Sequence, residues 1–162
     1  MENDSRGSAY QQFAQDLVKE SLSTQGFARL RVISDSMVPL MDIDDIVLVE
    51  HAPLRSYRRG DIVVICRNGE FITHRLVRLR KDQWYTKGDR FRFLDEPITP
   101  DEVVGKVISI EQRDSQIDLN RRSWKIINRY KGWFANLEVE FYKVARWVHN
   151  YFFHNNQIGG VK

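Results

Sequence analysis

Between Phe27 and Gln112 the apolar runs of this chain are repeatedly broken by turn-forming residues, and that alternation is what most limits the folds open to it. Residues 28–33, 46–50, 61–66, 70–80, 83–86 and 103–110 are dense in Val, Ile, Leu or aromatics, a composition that suits pleated, half-buried strands. Between them stand Asp44-Asp45, Arg59-Gly60-Asp61, Asn68-Gly69, Lys81-Asp82 and Pro97 with Pro100, residues that favour turns by backbone freedom, fixed φ or local hydrogen bonding. Asn68-Gly69 predicts a tight hairpin, because a type I′ turn needs positive φ at both central residues. Short strands joined by short turns predict a mainly β protein, its antiparallel sheet curled or closed into a barrel-like form. Arg75, Arg78 and Arg80 fall beside Leu76, Val77 and Leu79, which predicts a solvated face on that strand.

Helical periodicity flanks the β region. In residues 8–25, Tyr10, Phe13, Leu17, Val18 and Leu22 recur at helical spacing, predicting a short amphipathic helix that Gln25-Gly26 ends. Beyond residue 120, Ile127, Tyr130, Phe134, Leu137, Phe141, Val144, Val148 and Tyr151 recur at alternating steps of three and four. That is an apolar seam along a long helix, widened by Trp133 and Trp147, with Gly132 marking a candidate kink or break. The chain thus divides into an N-terminal helix over 1–26, a β domain over 27–120 and a basic, aromatic helix over 121–162. The seam has three readings: a cover packed on an open edge of the β domain, a helix for a partner helix, or a helix lying in a membrane interface, where Trp, Tyr, Lys and Arg are at home.

With 162 residues, 42% of them hydrophobic, the chain can bury a core without covalent staples. A single cysteine, Cys66, excludes an internal disulfide framework and a four-thiolate zinc site, and among apolar strand residues it reads as a small core side chain. No apolar run reaches the roughly 18 residues of a bilayer span, and the start Met-Glu-Asn-Asp lacks the regions of a secretory signal. These features predict a cytoplasmic protein, attached to a membrane at most peripherally. Charge is uneven: four Lys/Arg against nine Asp/Glu over 1–50, eleven against six over 51–100, and ten against seven over 101–162. The acid-free stretch 121–131 is short and lacks a recognition motif, so nucleic acid is not the expected partner. His51, His149 and His154 are scattered, with neither zinc-ligand spacing nor a phosphate-cradling Gly run, so no metal and no cofactor is expected.

Hydrolysis by nucleophilic attack needs a hydroxyl, a base and oxyanion donors. Ser34-Asp35-Ser36-Met37-Val38-Pro39 offers two serines just after a strand, with Pro39 predicted to hold the following backbone extended. Ile72-Thr73-His74-Arg75-Leu76 places a histidine within a strand, and Thr86-Lys87-Gly88-Asp89 precedes Asp95. Each has a plainer reading: Ser-x-Ser as a solvated turn, a strand histidine as a packed residue, Asp89 after Gly88 as a turn former.

In this order, and joined by Arg59-Gly60-Asp61-Ile62-Val63, the motifs resemble the type I signal peptidase superfamily (S24 and S26 peptidases), which includes the LexA-type self-cleaving repressors. The likeness spans about residues 31–108 and is nearest to the archaeal and endoplasmic-reticulum branch, which pairs serine with histidine. It implies Ser36 as nucleophile, and Ser34 with the Ser36 N–H as oxyanion donors. It further implies His74 as base, Asp95 as the group that orients His74, and Asp89 as a support. Asp44 to Val47 repeats the Gly60 to Val63 motif with Asp in place of Gly, and residues 103–107 match the closing strand. The implied activity is that of a serine endopeptidase that takes an extended polypeptide and cleaves a precursor or leader through an acyl-enzyme. A catalytically silent peptide-binding module and a LexA-like regulator are the alternatives. A neutral imidazole can take a serine proton near neutral pH without the deep burial that a lysine base requires. This sequence departs from the family in having no spanning anchor before Ser36, and in placing Asp35 where Gly is usual. A carboxylate there opposes an oxyanion unless it turns to solvent. Both departures point away from conventional secretory processing and toward a soluble relative that trims a cytoplasmic precursor peptide, or a maturation protease for one dedicated partner.

Overall fold

The computed structural model describes residues 2–155. In chain order they form α1 (Glu2–Gln25), β1 (Phe27–Arg31), β2 (Ile46–Glu50), β3 (Ile62–Arg67), β4 (Glu70–Leu79), β5 (Trp84–Lys87), β6 (Val103–Gln112), β7 (Ser115–Asp118) and α2 (Arg122–Asn155). The strands make one antiparallel sheet in the order β1-β2-β6-β3-β4-β5, with β7 paired to the far half of β6. It does not close, so of the two expected forms the structure takes the open sheet rather than the barrel. Strand β7 is absent from the sequence reading because Ser-Gln-Ile-Asp carries one apolar residue. It forms as the return arm of a hairpin in which Gln112 faces Ser115.

The central strand explains its own sequence. Ile62 and Val64 enter one core cluster with Met37, Met41, Val47 and Val107, whereas Val63 and Ile65 enter a second with Tyr57, Leu76 and Trp84. Side chains alternate across a strand, so a strand buried on both faces reads as an unbroken apolar run. The turns on either side follow local chemistry. Asn68 (φ 51°) and Gly69 (φ 85°) both take the left-handed region between β3 and β4. The paired motifs before β2 and β3 fold alike: Asp44 and Gly60 have φ of 74° and 95°. The carboxylates of Asp45 and Asp61 each accept the backbone N–H of the residue three before, Asp42 and Arg58. Asp tolerates the left-handed region better than most residues, which is why it can stand in for Gly at 44.

Three expectations are corrected. Residues 34–40 form successive turns, with Val38 N–H on Asp35 C=O and Leu40 N–H on Met37 C=O, so the backbone after Ser36 is not extended. These turns send Met37 into the core, and the Val38–Pro39 peptide is cis. Arg75 is not on a wet face; it is fully buried. Helix α1 runs 24 residues, longer than expected. It packs Val18 inward and leaves Phe13 and Leu17 exposed, and the Gly26 N–H (φ 79°) closes it on Leu22 C=O.

Helix α2 also departs from its reading. Gly132 does not break it; a Cβ there would lie 2.5 Å from the Gly60 nitrogen, and one at Gly60 would lie 2.1 Å from the Asn128 carbonyl oxygen. Glycine lets the two backbones touch. The helix meets the sheet through Asn128, Gly132 and Val139, while Ile127, Tyr130, Phe134, Leu137, Phe141 and Val144 of the seam face outward. The helix packs on β4, but not through its seam. The domain beneath α2 presents Arg75, Arg78 and Lys87, and those need polar partners: Asn128 for Arg75, Asn136 and Glu140 for Arg78, Glu138 for Lys87. Val148, Tyr151 and Trp147 of the seam, and Tyr10 of α1, lie outside the residues whose side chains are described. No described helix is long and apolar enough to cross a membrane.

Candidate active site

Ser36 and His74 reach the same groove from different elements. Ser36 sits in the turn run after β1, and His74 lies midway along β4, opposite Val63 of β3. Both are buried, and both line a groove of about 600 Å³ walled by residues 30–37 on one side and 69–74 on the other. Gln11 and Ala14 of α1 border it, next to Gly69. The loop after β5 covers the imidazole. A Cβ on Gly88 would fall 3.1 Å from His74 Nε2, 2.8 Å from the Ser36 carbonyl oxygen and 2.8 Å from the Phe91 ring. The bare α-carbon of Gly88 thus sits against both His74 Nε2 and the Ser36 carbonyl. The Phe91 ring stands edge-on to the imidazole at 6.1 Å.

On its other side the ring is tied down. His74 Nδ1 and Asp95 Oδ2 are 2.6 Å apart, and the Thr86 hydroxyl donates to the same oxygen at 2.6 Å. The Asp95 N–H donates in turn to Thr86 C=O at 2.9 Å, which locks residue 95 to β5. Burial acts to raise the Asp95 carboxyl, but the hydrogen bond and charge of His74, the Thr86 hydroxyl and the Arg67 charge outweigh it, and the group is held below the usual carboxylate range. Asp95 is then an acceptor only. Nδ1 must therefore carry the proton, which leaves Nε2 as the basic nitrogen.

Asp89 does not touch His74. It binds Arg75 in a bidentate pair, with Nε and Nη2 each 2.7 Å from a carboxylate oxygen, and Lys131 of α2 approaches to 3.6 Å. Burial pushes this carboxyl up, yet the Arg75 hydrogen bonds and charge, followed by Lys131 and Lys87, bring it below its ordinary value. Arg75 also donates to the Gly60 carbonyl and to Asn128 Oδ1, each at 2.9 Å. A fully buried guanidinium is thus satisfied on every side, as a buried charge requires.

Around Ser36, the Ser34 and Ser36 hydroxyls are 3.4 Å apart. Asp35 is half exposed and ion-paired to Arg90, whose N–H also donates to the Ser36 carbonyl at 3.0 Å. The negative charge next to Ser36 is thereby offset by a cation on the same loop. Among the described residues no cluster of His, Cys, Asp or Glu is placed to hold a metal ion. Cys66 is half-buried at the end of β3, away from the groove lining.

The structure thus brings Ser34, Ser36, His74 and Asp95 to one place and sets Asp89 behind them. Thr86, Arg75, Arg90 and Asn128 escaped the sequence reading as site residues. Thr86 lay within a quoted motif and Arg75 beside His74, so position was a signal for both. Nothing in the sequence links Asn128 to residues more than fifty positions earlier. A search of curated proteins finds no match to the chain. The family model described as Peptidase S24-like matches residues 1–108, a span that holds every groove residue named above.

Proposed function

Because the chain belongs to the Peptidase S24-like family, we propose that it is a serine endopeptidase in which Ser36 attacks, His74 serves as base and Asp95 orients the imidazole. The observation that carries this reading is the His74–Asp95 hydrogen bond beside the groove that Ser36 and His74 both line. In this mechanism Nε2 takes the Ser36 proton as Oγ bonds to the scissile carbonyl carbon. The imidazolium formed is stabilised by the Asp95 carboxylate, and it gives the proton to the leaving amine. Water then enters and loses a proton to His74 as its oxygen bonds to the acyl carbon, and His74 returns that proton to Ser36 Oγ as the acyl–Oγ bond breaks. The Ser36 N–H and the Ser34 hydroxyl are the proposed oxyanion donors, worth about 3 kcal/mol each in comparable sites. The Arg90–Asp35 pair supports this assignment, since it reduces the repulsion that an unpaired Asp35 would exert on the oxyanion.

The groove supports an extended peptide as substrate. Strand β1 is an edge of the sheet, and β4 pairs with β5 only from Arg75 onward. The outer edge of residues 70–74 is therefore unpaired within the sheet and faces the groove, and main-chain addition to such an edge is an economical way to hold a peptide. The use of histidine aligns the site with the archaeal and endoplasmic-reticulum type of signal peptidase, and cleavage of a precursor or leader peptide is the activity we assign. Labelling with a fluorophosphonate followed by peptide mapping tests the reading. An adduct on Ser36 that is lost in His74→Ala is expected; no adduct on Ser36 in the folded wild type would overturn it.

A further inference from the structure

Helix α2 turns its aromatic side outward and packs on the domain through Asn128, Gly132 and Val139. Glu138 and Glu140 bond Lys87 and Arg78 of the sheet. Between these flanking carboxylates, on the outward face, Trp133 is 51% exposed and Phe141 74%, and Tyr130, Trp133 and Phe134 form one exposed aromatic cluster with centroids 4.4 and 5.4 Å apart. Arg122, Lys125 and Arg129 border this face. With Ile126, Tyr130 and Trp133 they line an open, mainly apolar trough of about 540 Å³. Lys125 and Arg129 also line a second cleft of about 200 Å³, together with Arg58, Arg59 and Lys106. The one carboxylate in that cleft, Asp61, is already bonded to Lys106 at 2.8 Å. Among the described residues no ion pair engages Arg122, Lys125 or Arg129.

We propose that α2 is a docking surface for an anionic lipid bilayer, with Tyr130, Trp133 and Phe134 seated at headgroup level and Lys125 and Arg129 against lipid phosphates. Aromatic residues on one side of a helix with unpaired cations along its border is the arrangement that holds a helix in a membrane interface, and the charge is complementary to anionic headgroups. A second helix fits less well. Seam positions Tyr130, Phe134 and Phe141 are bulky rings, and the flanking Ile126 and Trp133 are apolar where paired helices carry charges. Duplex nucleic acid would use the cations and leave the aromatic cluster in water. The trough shares no lining residue with the Ser36 groove, so docking leaves that groove open.

Co-sedimentation of the full chain with phosphatidylcholine vesicles, with and without phosphatidylglycerol, tests the proposal. Binding to the anionic vesicles alone, weakened by salt, is expected. Joint Lys125→Gln and Arg129→Gln changes should weaken partitioning about thirtyfold. Joint Trp133→Ser and Phe134→Ser changes should abolish it, and because all four residues are exposed, thermal midpoints should stay near wild type. The proposal is overturned if the wild type stays in the supernatant with both vesicle types. It is equally overturned if the Trp133 and Phe134 changes merely split a solution dimer, or if salt-sensitive binding is found to duplex nucleic acid and not to vesicles.

Discussion

Asp89 and Asp95 follow the same strand, and both carboxyls are held below the ordinary range, yet they answer to different partners. Asp95 bonds the imidazole; Asp89 neutralises Arg75. In the proposed mechanism Asp95→Asn replaces the acceptor-only carboxylate that fixes the tautomer with an amide that can donate to Nδ1, and turnover should fall by roughly three to four orders of magnitude with a smaller melting loss than Asp89→Ala. Asp89→Ala strands a fully buried guanidinium, which typically costs about 3–5 kcal/mol, so its first effect should be on the thermal midpoint. Kinetics and melting of both variants check the division; equal melting losses would contradict it. Gly88→Ala is the sharpest steric probe, since its methyl would press on Ser36 C=O and His74 Nε2 together. It should suppress fluorophosphonate labelling of Ser36 while the fold persists.

At the level of elements, Gly132 sets two magnitudes against each other. In a free helix Gly→Ala stabilises by about 1 kcal/mol, but here the new carbon would lie 2.5 Å from the backbone of Gly60. Backbone cannot yield as a side-chain tip can, and overpacking costs about 1–3 kcal/mol, so Gly132→Ala should lower the urea midpoint; a rise would show that α2 is not seated on that turn. The same helix shows what could be read in advance. The strands from β1 to β6 and the Asn68-Gly69 turn were legible because each rests on local chemistry, whereas the proposed pairing of Ser36 with His74 came from the resemblance of the motifs to a family. The direction of α2 was not. Apolar periodicity ordinarily names the buried face, and here Arg75, Arg78 and Lys87 beneath the helix selected its polar face instead. Arg75 was misread for the related reason that its partners, Asp89 and Asn128, come from distant parts of the chain.

For the molecule as a whole, the depressed carboxyls link stability to pH. Unfolded Asp titrates near about 3.9, and Asp89 and Asp95 titrate below that when folded, so the unfolded state binds more protons in the interval between. Their contribution is complete above the unfolded value and is lost as pH falls through the folded ones. The urea midpoint should therefore drop from neutral pH toward pH values of about 3, and Asp89→Asn should flatten that drop; an unchanged slope would contradict the assigned pairing. The central claim is that Ser36 from the turns after β1, His74 of β4 and Asp95 from the loop after β5 act together to cut a peptide. Its most direct test is mass-spectrometric cleavage of a peptide library by the wild type, Ser36→Ala and His74→Ala. The account predicts cutting by the wild type and losses of about a thousandfold or more in each variant, since the members of such a unit fail together. Cleavage that persists in folded Ser36→Ala would contradict it.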